Sequence, residues 1–301
     1  MKPVIGFIGI GAMGAPMALN LMKAGYPLVV YDLREEAVES LAAAGAKRAS
    51  SPEDLASRSS VVITMLPASP DVEAVVLGPK GVIDGAKPGN TVIDMSSSYP
   101  SSTKMICEQL AVKSIRMLDA PVSGGVKGAR EGTLAIMVGG EEKDYEECRP
   151  IFEAMGKDIY YLGGTGAGHT LKALNNLCSA CSMVITSETL VVTTKLGLSA
   201  EKVIDVINSS SGRSWSSQFK FPTFVLNNAF SSGFTIALMN KDLEIATSLG
   251  RELNIPMFVG AMVQQLYKCA VSQDMGNDCH TAIIKLIEGW GGVTARKKEG
   301  G

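Results

Sequence analysis

A lysine and two asparagines lie close together in the segment GAGHTLKALNN, residues 166–176. If this segment opens a helix, Lys172, Asn175 and Asn176 fall at positions i, i+3 and i+4, so that one face carries an ammonium and a carboxamide. Loss of solvation among the interleaved leucines would lower the pKa of the lysine toward the range useful for proton transfer. Lys172 is therefore a candidate acid/base, and Asn176 could hold it or a substrate. The residues alone favour a plainer interpretation, a lysine lying along a partly buried helix.

A second candidate is Ser123-Gly124-Gly125, which follows an apolar run in DAPVSGGVKGAREGTLAIMVGG, residues 119–140. Two adjacent glycines expose consecutive backbone N–H groups, and the serine hydroxyl adds another donor, so the segment suits an anion such as a substrate carboxylate. A glycine-rich turn that serves only chain geometry explains the same residues equally well.

Two further polar segments interrupt apolar sequence. In LMNKDLEIA, residues 238–246, Lys241-Asp242 indicates either an interdomain or cofactor contact or a structural ion pair. In SSGRSWSSQ, residues 210–218, Arg213 and Trp215 could shape a substrate pocket or belong to an ordinary helix–helix loop.

Metal and thiol chemistry receive little support. The two histidines, His169 and His280, form no His/Asp/Glu pattern with metal-ligand spacing, so we predict no metal site. No G-x-S-x-G elbow for acyl transfer is found in the sequence. Cys178 and Cys181 form a C-x-x-C in an apolar stretch, which favours packing over redox chemistry. Six scattered cysteines indicate reduced thiols and a cytoplasmic protein.

The elements that would position these residues begin with IGFIGIGAMGAPMALNLMKAG, residues 5–25. A secretory signal peptide is one interpretation of this apolar segment, but Gly6, Gly9, Gly11, Gly14 and Pro16 would disrupt the required helix. A strand, a tight turn and a helix explain all five residues. Val4–Ile8 suits a buried strand, and the following glycines allow a tight turn, close approach of a pyrophosphate, and close helix–strand packing. The predicted cofactor-binding residues of this loop are Gly9, Ile10, Gly11, Ala12, Met13 and Gly14.

A second predicted strand, Leu28–Tyr31, ends in Asp32, whose carboxylate can accept hydrogen bonds from a ribose 2′-hydroxyl. Asp32 and Leu33 are therefore also predicted to bind the cofactor. We expect NAD, because a 2′-phosphate would face Asp32; Arg34 could accept that phosphate, so NADP is not excluded.

Strands and helices alternate beyond this point, which predicts an α/β fold with a doubly wound sheet. At two strand ends, MLPAS (65–69) and DMSSS (94–98) are candidate cofactor walls or ordinary turns, and Leu66 and Pro67 are assigned to the cofactor. After residue 168 the periodicity is helical. We predict a Rossmann-type domain over residues 1–163 and an all-helical domain over 164–301, joined by a long interdomain helix. The predicted strands are Val61–Leu66, Thr91–Met95, Met117–Val122, Leu134–Val138 and Ile159–Leu162.

Composition limits the partners. The net charge is −2, with no basic stripe before the tail TARKKEGG, which we interpret as a solvated end; nucleic-acid binding is unsupported. No uninterrupted apolar run is long enough to cross a bilayer, so no membrane partner is expected. A mean hydropathy of +0.18 suits a surface partly covered by another subunit.

Taken together, the segments at residues 6–25, 119–134, 166–176 and 241–246 resemble the β-hydroxyacid dehydrogenase family in their order and spacing. The resemblance covers nearly the whole chain. It implies that Lys172 is the catalytic acid/base, that Asn176 orients the substrate, and that Ser123, Gly124 and Gly125 hold its carboxylate. It further implies that Lys241 contacts substrate and cofactor near the nicotinamide, that Ser96 lies beside the cofactor, and that the protein forms a homodimer or homotetramer.

The resemblance also implies the reaction, an NAD(P)-dependent hydride transfer on a small β-hydroxyacid. The segment SSGRSW looks most like enzymes acting on 3-hydroxyisobutyrate or 2-(hydroxymethyl)glutarate. Tartronate semialdehyde reduction is an alternative within the family, and a non-catalytic dinucleotide-binding scaffold is an alternative outside it. Lys172 argues against imine reduction, and Asn175 in place of histidine argues against decarboxylation of a sugar phosphate.

Overall fold

The computed structural model describes residues 2–296 of the chain. Contacts between residues divide it into two compact units, Met1–Lys172 and Ala173–Gly301. The sequence places the division at residues 163 and 164, whereas these contacts place it inside the helix that follows. The predicted domain bounds therefore stay a prediction.

The first unit is built on a sheet, and nine strands are found within its described residues. The order is β3-β2-β1-β4-β5-β6-β8-β7, with β9 paired to β8. Strands β1 to β6 are parallel, and their order 3-2-1-4-5-6 is that of a Rossmann fold, which confirms the predicted fold class. The strands are β1 (Ile5–Ile8), β2 (Leu28–Tyr31), β3 (Lys47–Arg48), β4 (Val61–Thr64), β5 (Thr91–Asp94), β6 (Arg116–Asp119), β7 (Val122–Ser123), β8 (Leu134–Gly140) and β9 (Gly156–Tyr161).

Helices cover both faces of this sheet. Side chains of a strand point alternately to opposite faces, so Phe7 and Ile63 join one buried apolar cluster while Ile8 and Val62 join the other. A parallel sheet is stable only when both faces are covered in this way. The helices are α1 (Gly14–Lys23), α2 (Glu35–Ala43), α3 (Pro52–Ser57), α4 (Ser69–Leu77), α5 (Val82–Gly85), α6 (Pro100–Val112), α7 (Gly125–Glu131) and α8 (Glu142–Glu153).

The second unit is helical through its described residues, as the sequence predicts. It begins within α9, a continuous helix over Ala167–Lys195 that starts in the first unit. The segment Ser216–Val225 has π-helical hydrogen bonding, and the helix Phe258–Ala270 is followed by a kinked segment, Val271–Met275, in which Asp274 has φ +60°. The remaining helices are α10 (Ala200–Ser209), α11 (Ile236–Glu252), α12 (Phe258–Ala270) and α13 (Ile283–Gly291), with a short 3-10 turn at His280–Ala282.

By length and composition, α9 could cross a bilayer, which the sequence analysis did not anticipate. Its 29 residues form one continuous helix, although polar residues interrupt the apolar sequence. Ala180, Met183 and Leu190 on this helix are fully buried in the structure. Ile185 and Val192 on the same helix are each 60% exposed, so burial accounts for only part of the apolar composition of α9.

The predicted solvated end is only partly described, because residues 297–301 lie outside the described residues. For Ala295 and Arg296 the prediction is wrong. Ala295 is fully buried and donates its N–H to Glu288 Oε1 at 2.7 Å, while Arg296 Nε donates to Glu288 Oε2 at 3.1 Å. A buried carboxylate is costly without hydrogen-bond donors, so these two bonds to Glu288 stabilise the packed position of Ala295 and Arg296.

Candidate active site

The carboxyl ends of the parallel strands form one edge of the sheet in the first unit. Ile8 of β1 is paired with Tyr31 and with Thr64, Thr64 is paired with Asp94, and Asp94 with Asp119. The residues that follow these strands therefore lie along the same edge. Between β1 and β4 the strand order reverses, and open α/β sheets bind ligands at such a point.

The glycine turn after β1 has the geometry that the sequence predicts at two of its three glycines. Gly9 has φ +89°, which favours glycine, and a Cβ at Gly14 would overlap the carbonyl oxygen of Gly9. A Cβ at Gly11 would meet only Arg34 Nη2, at 3.4 Å. The protein's own packing thus explains Gly9 and Gly14. The bare backbone at Gly11 instead fits a ligand that approaches it closely, as a dinucleotide pyrophosphate does.

Asp32, which follows β2, is held in place by hydrogen bonds from Ile10 and Arg34. Ile10 N donates to Oδ2 at 2.8 Å, Arg34 N donates to Oδ1 at 2.9 Å, and the Arg34 guanidinium reaches the two carboxylate oxygens at 3.1 and 3.2 Å. Although desolvation opposes it, hydrogen bonding from Arg34 and from Ile10 lowers the pKa of Asp32 below its ordinary value. An ionised carboxylate is therefore held beside the glycine turn.

The two candidate cofactor walls, residues 65–69 and 94–98, are joined by a hydrogen bond to Ser96. The Ser96 hydroxyl accepts from Leu66 N at 2.9 Å, so residues after β4 and β5 are tied together. Asp94 at the end of β5 in turn accepts from Ser96 N at 3.0 Å, from Thr64 Oγ1 at 2.9 Å and from Ser98 Oγ at 2.7 Å. These bonds hold Leu66 and Ser96, two predicted cofactor residues, at one place on the edge.

His169 connects this wall to the first turn of α9. Its ring is fully buried, with Nε2 3.1 Å from Ser96 O and Nδ1 2.7 Å from Thr103 Oγ1. Asp119 at the end of β6 accepts from Gly166 N at 2.7 Å and from His169 N at 2.9 Å. The start of α9 is therefore anchored at the cofactor edge, three residues before Lys172.

His169 and Asp119 were not predicted as site residues, and Asp94 was included only as part of the candidate cofactor wall at residues 94–98. The sequence analysis considered His169 only as a metal ligand and found no spacing that supports this role. Both aspartates lie inside predicted strands, Thr91–Met95 and Met117–Val122, whereas the observed strands β5 and β6 end at them. Polar groups at such strand ends face the ligand edge, so more accurate strand bounds would have been the signal. Among the described residues, no group of three or more His, Cys, Asp or Glu side chains could hold a metal ion.

Lys172 and Asn176 lie one turn apart on α9 and are both buried, whereas Asn175 between them is exposed. The polar face predicted for this helix is thus narrower than expected and excludes Asn175. Within the second unit, Asn176 Nδ2 donates to Asp242 Oδ2 at 2.6 Å, and Lys241 Nζ lies 3.4 Å from Asp242 Oδ1. The Lys241–Asp242 ion pair foreseen as one alternative is present, and it adjoins Asn176.

The Ser123-Gly124-Gly125 segment forms the end of β7 and the start of α7. Gly124 has φ +131° and Gly125 has φ +62°, conformations that favour glycine at both positions. Both glycines are exposed, and the closest atoms to a Cβ at Gly124 belong to Leu134 and Gly128. Carboxylate binding by this segment stays a prediction.

The segment with Arg213 and Trp215 leads into the π-helical run Ser216–Val225. Trp215 is 67% exposed, and its ring stacks on Phe219 with centroids 5.0 Å apart. Arg213 is also exposed. The position of these two side chains on the surface of the second unit leaves their predicted role in a substrate pocket untested.

Known proteins resemble the chain over both units. A sequence model of the NAD binding domain of 6-phosphogluconate dehydrogenase matches residues 4–163, and one described as the NAD-binding of NADP-dependent 3-hydroxyisobutyrate dehydrogenase matches residues 166–287. A 2-(hydroxymethyl)glutarate dehydrogenase of Eubacterium barkeri is 42% identical over 290 residues, which are 96% of each chain. An NAD-dependent L-serine dehydrogenase of Pseudomonas aeruginosa is 39% identical, over 94% of this chain and 97% of that one.

A solved structure is similar to this chain over nearly its whole length. The 3-hydroxyisobutyrate dehydrogenase of Mycobacterium tuberculosis with L-serine has a TM-score of 0.89 at 35% identity. The likeness covers 95% of this chain and 99% of that one.

Proposed function

Because the chain belongs to the β-hydroxyacid dehydrogenase family and so is an NAD(P)-dependent enzyme, we propose that it transfers hydride between the nicotinamide and the alcohol carbon of a small β-hydroxyacid. One observation carries this proposal. Lys172 and Asn176 are buried on one face of a helix whose first turn is bonded, through Asp119 and His169, to the edge that holds the predicted cofactor residues.

In this proposal Lys172 is the general acid/base. During oxidation its amine takes the proton of the substrate hydroxyl, and during reduction its ammonium returns that proton to the developing alkoxide. The bound nicotinamide supplies the hydride acceptor or donor. The Asn176 amide, oriented by Asp242, positions the substrate oxygen beside Lys172.

The carboxylate of the substrate would be held by the backbone N–H groups of Gly124 and Gly125 together with the Ser123 hydroxyl. Successive backbone N–H groups in a turn can form a concave site that suits an anion. Lys241 would add a positive charge near the reacting end of the cofactor, where its partner Asp242 limits its freedom.

We assign NAD as the preferred cofactor. The ionised Asp32 would accept from the ribose 2′-hydroxyl and repel a 2′-phosphate. Arg34, which pairs with both Asp32 oxygens, lessens this repulsion, so some NADP turnover is expected. Comparing kcat/KM for the two cofactors tests the assignment, and a clear preference for NADP would overturn it.

The proposed substrates are 3-hydroxyisobutyrate and 2-(hydroxymethyl)glutarate, the latter because it names the relative that is 42% identical. A panel of these two acids with glycerate, serine and threonate tests the choice. Preference for glycerate would favour tartronate semialdehyde reduction. Cofactor binding without oxidation of any member would favour a non-catalytic scaffold.

A homodimer or homotetramer in the cytoplasm completes the proposal. On α12 of the second unit, Phe258, Val259 and Met262 are each at least two-thirds exposed, and a second subunit would cover such apolar side chains. All six cysteines are free thiols, which suits a reducing compartment. Light scattering after size-exclusion chromatography measures the subunit number.

Lys172→Ala is the decisive variant. General acid/base catalysis contributes about 10²–10⁴-fold, so kcat should fall by that order while the Kd for NAD is retained. Lys202→Ala, which removes an exposed lysine on α10, is the matched control and should leave kcat unchanged. Turnover by Lys172→Ala close to that of the wild type would remove the lysine from the mechanism.

A further inference from the structure

A second lysine reaches the face of α9 that carries Asn176. Lys220 Nζ donates to Ser179 Oγ at 2.6 Å, and both residues are partly buried. Lys172, Asn176 and Ser179 stand at i, i+4 and i+7, so they lie within about 60° of one another around the helix. The Lys220 ammonium is therefore placed along the same stripe of α9, two turns beyond Lys172.

The segment that carries Lys220 is itself fixed to α9. Ser216, at the start of the π-helical run Ser216–Val225, has its hydroxyl 2.9 Å from Ser182 Oγ and 3.2 Å from Ser179 O. These contacts and the Lys220 bond join the run to one turn of α9. The ammonium is thus held by two elements, and its position does not depend on a loop.

A neighbouring histidine does not share the positive charge. His280 is buried, and burial together with the nearby Lys220 ammonium lowers the pKa of His280 to about 3. At neutral pH the imidazole is uncharged, so the charge at this place belongs to Lys220.

We propose that Lys220 binds a second anionic group of the substrate, so that the enzyme prefers a β-hydroxyacid whose side group ends in a carboxylate. This inference rests on the proposed function of Lys172. Ser179 lies seven positions beyond Lys172 on α9, a rise of about 10.5 Å along the helix axis. An extended five-carbon chain spans ~5 Å from its alcohol carbon to the distal carboxyl carbon. With its terminal C–O bonds and a hydrogen bond of ~3 Å at each end, such a chain is long enough to cover this rise. The side group of 3-hydroxyisobutyrate, a methyl, is too short and uncharged.

The test compares two substrates that differ only in that side group. For the wild type, kcat/KM should be higher for 2-(hydroxymethyl)glutarate than for 3-hydroxyisobutyrate. Lys220→Met keeps the length of the side chain but removes the charge, and should lower the ratio of these two values by about 10- to 100-fold. Lys220→Arg should retain most of the preference. Lys202→Met, a change at an exposed lysine of α10, is the control and should leave the ratio unchanged.

Binding without turnover gives an independent measurement. Glutarate should inhibit the wild type, or bind it in calorimetry with NAD present, at least about 10-fold more tightly than butyrate. Equal binding of glutarate and butyrate would overturn the proposal. So would a Lys220→Met variant in which kcat/KM falls by the same factor for both hydroxyacid substrates. Failure of the proposed function looks different, because neither hydroxyacid would then be oxidised, while the calorimetric comparison would still decide the role of Lys220.

Discussion

Asn176 donates from its side-chain amide to the buried carboxylate of Asp242 across 2.6 Å. A carboxylate only accepts hydrogen bonds, so the amide must turn its NH₂ group toward Asp242 and its oxygen away from it. The second oxygen of Asp242 faces Lys241 Nζ at 3.4 Å. One buried acid on α11 therefore determines the orientation of Asn176 and limits the position of Lys241.

Asp242→Asn should impair catalysis more than folding. An amide at this position can accept or donate, so the orientation of Asn176 is no longer enforced. We expect kcat/KM to fall about 10-fold or more, the effect of a hydrogen bond to a charged group. Glu244→Gln, an exposed change two residues along α11, is the control. Steady-state kinetics that show equal activity for both variants would contradict the orienting role of Asp242.

Two alanine substitutions in the glycine turn should have different effects. A Cβ at Gly14 would overlap the carbonyl oxygen of Gly9, so Gly14→Ala should lower the melting temperature of the cofactor-free protein. A Cβ at Gly11 meets only the end of the Arg34 side chain, so Gly11→Ala should leave that temperature unchanged.

The same Gly11→Ala variant should raise the Kd for NADH, because the added methyl occupies the surface that a pyrophosphate approaches. Thermal unfolding and fluorescence titration measure the two properties separately. Unaltered NADH affinity in Gly11→Ala would show that the cofactor does not approach this part of the turn.

Replacements of His169 can separate its two hydrogen bonds. The amide nitrogen of glutamine lies near the place of the imidazole Nε2, so His169→Gln can still donate to Ser96 O; an asparagine reaches only as far as Nδ1 and Thr103. We expect His169→Asn to lower kcat by about 10-fold relative to His169→Gln, because the link between the cofactor wall and α9 is lost. If the link only stabilises the fold, both variants will melt earlier and share the same kcat.

His280 should make stability depend on pH. Burial lowers its pKa from 6.5 to about 3 in the folded chain, so below pH 6.5 the unfolded chain binds a proton that the folded chain does not. Stability is then complete above pH 6.5 and falls by about 1.4 kcal/mol per pH unit as the pH drops toward 3. Denaturant titrations at several pH values should show a shallower decline for His280→Gln. Parallel profiles for variant and wild type would mean that His280 keeps its ordinary pKa.

The Rossmann core was predictable because its signals are local. The strand Leu28–Tyr31 was predicted with its observed bounds, since a short apolar run preceding an acidic residue is distinctive. Helix α1 ends before Gly25, whose φ of +83° is typical of a glycine that terminates a helix. In contrast, β3 and β7 contain two residues each, too few to show any periodicity.

The bonds within the candidate site were less accessible to prediction. His169 meets Ser96 across 73 positions of sequence, and Asn176 meets Asp242 across 66. No spacing rule joins residues so far apart. Lys220 was also not predicted as a site residue. Its contact with α9 depends on the π-helical winding of Ser216–Val225, which α-helical periodicity does not describe.

That winding ties the length of the segment to the direction of its side chains. A π-helix closes its hydrogen bonds over one residue more than an α-helix, so deleting a single residue ahead of Lys220 is expected to tighten one turn of the run toward α-helical winding. Each residue of an α-helix advances by about 100°, enough to swing the ammonium off α9. If Lys220 selects the substrate as proposed, such a deletion is expected to change which acid the enzyme prefers while leaving the α9 residues Lys172 and Asn176 in place.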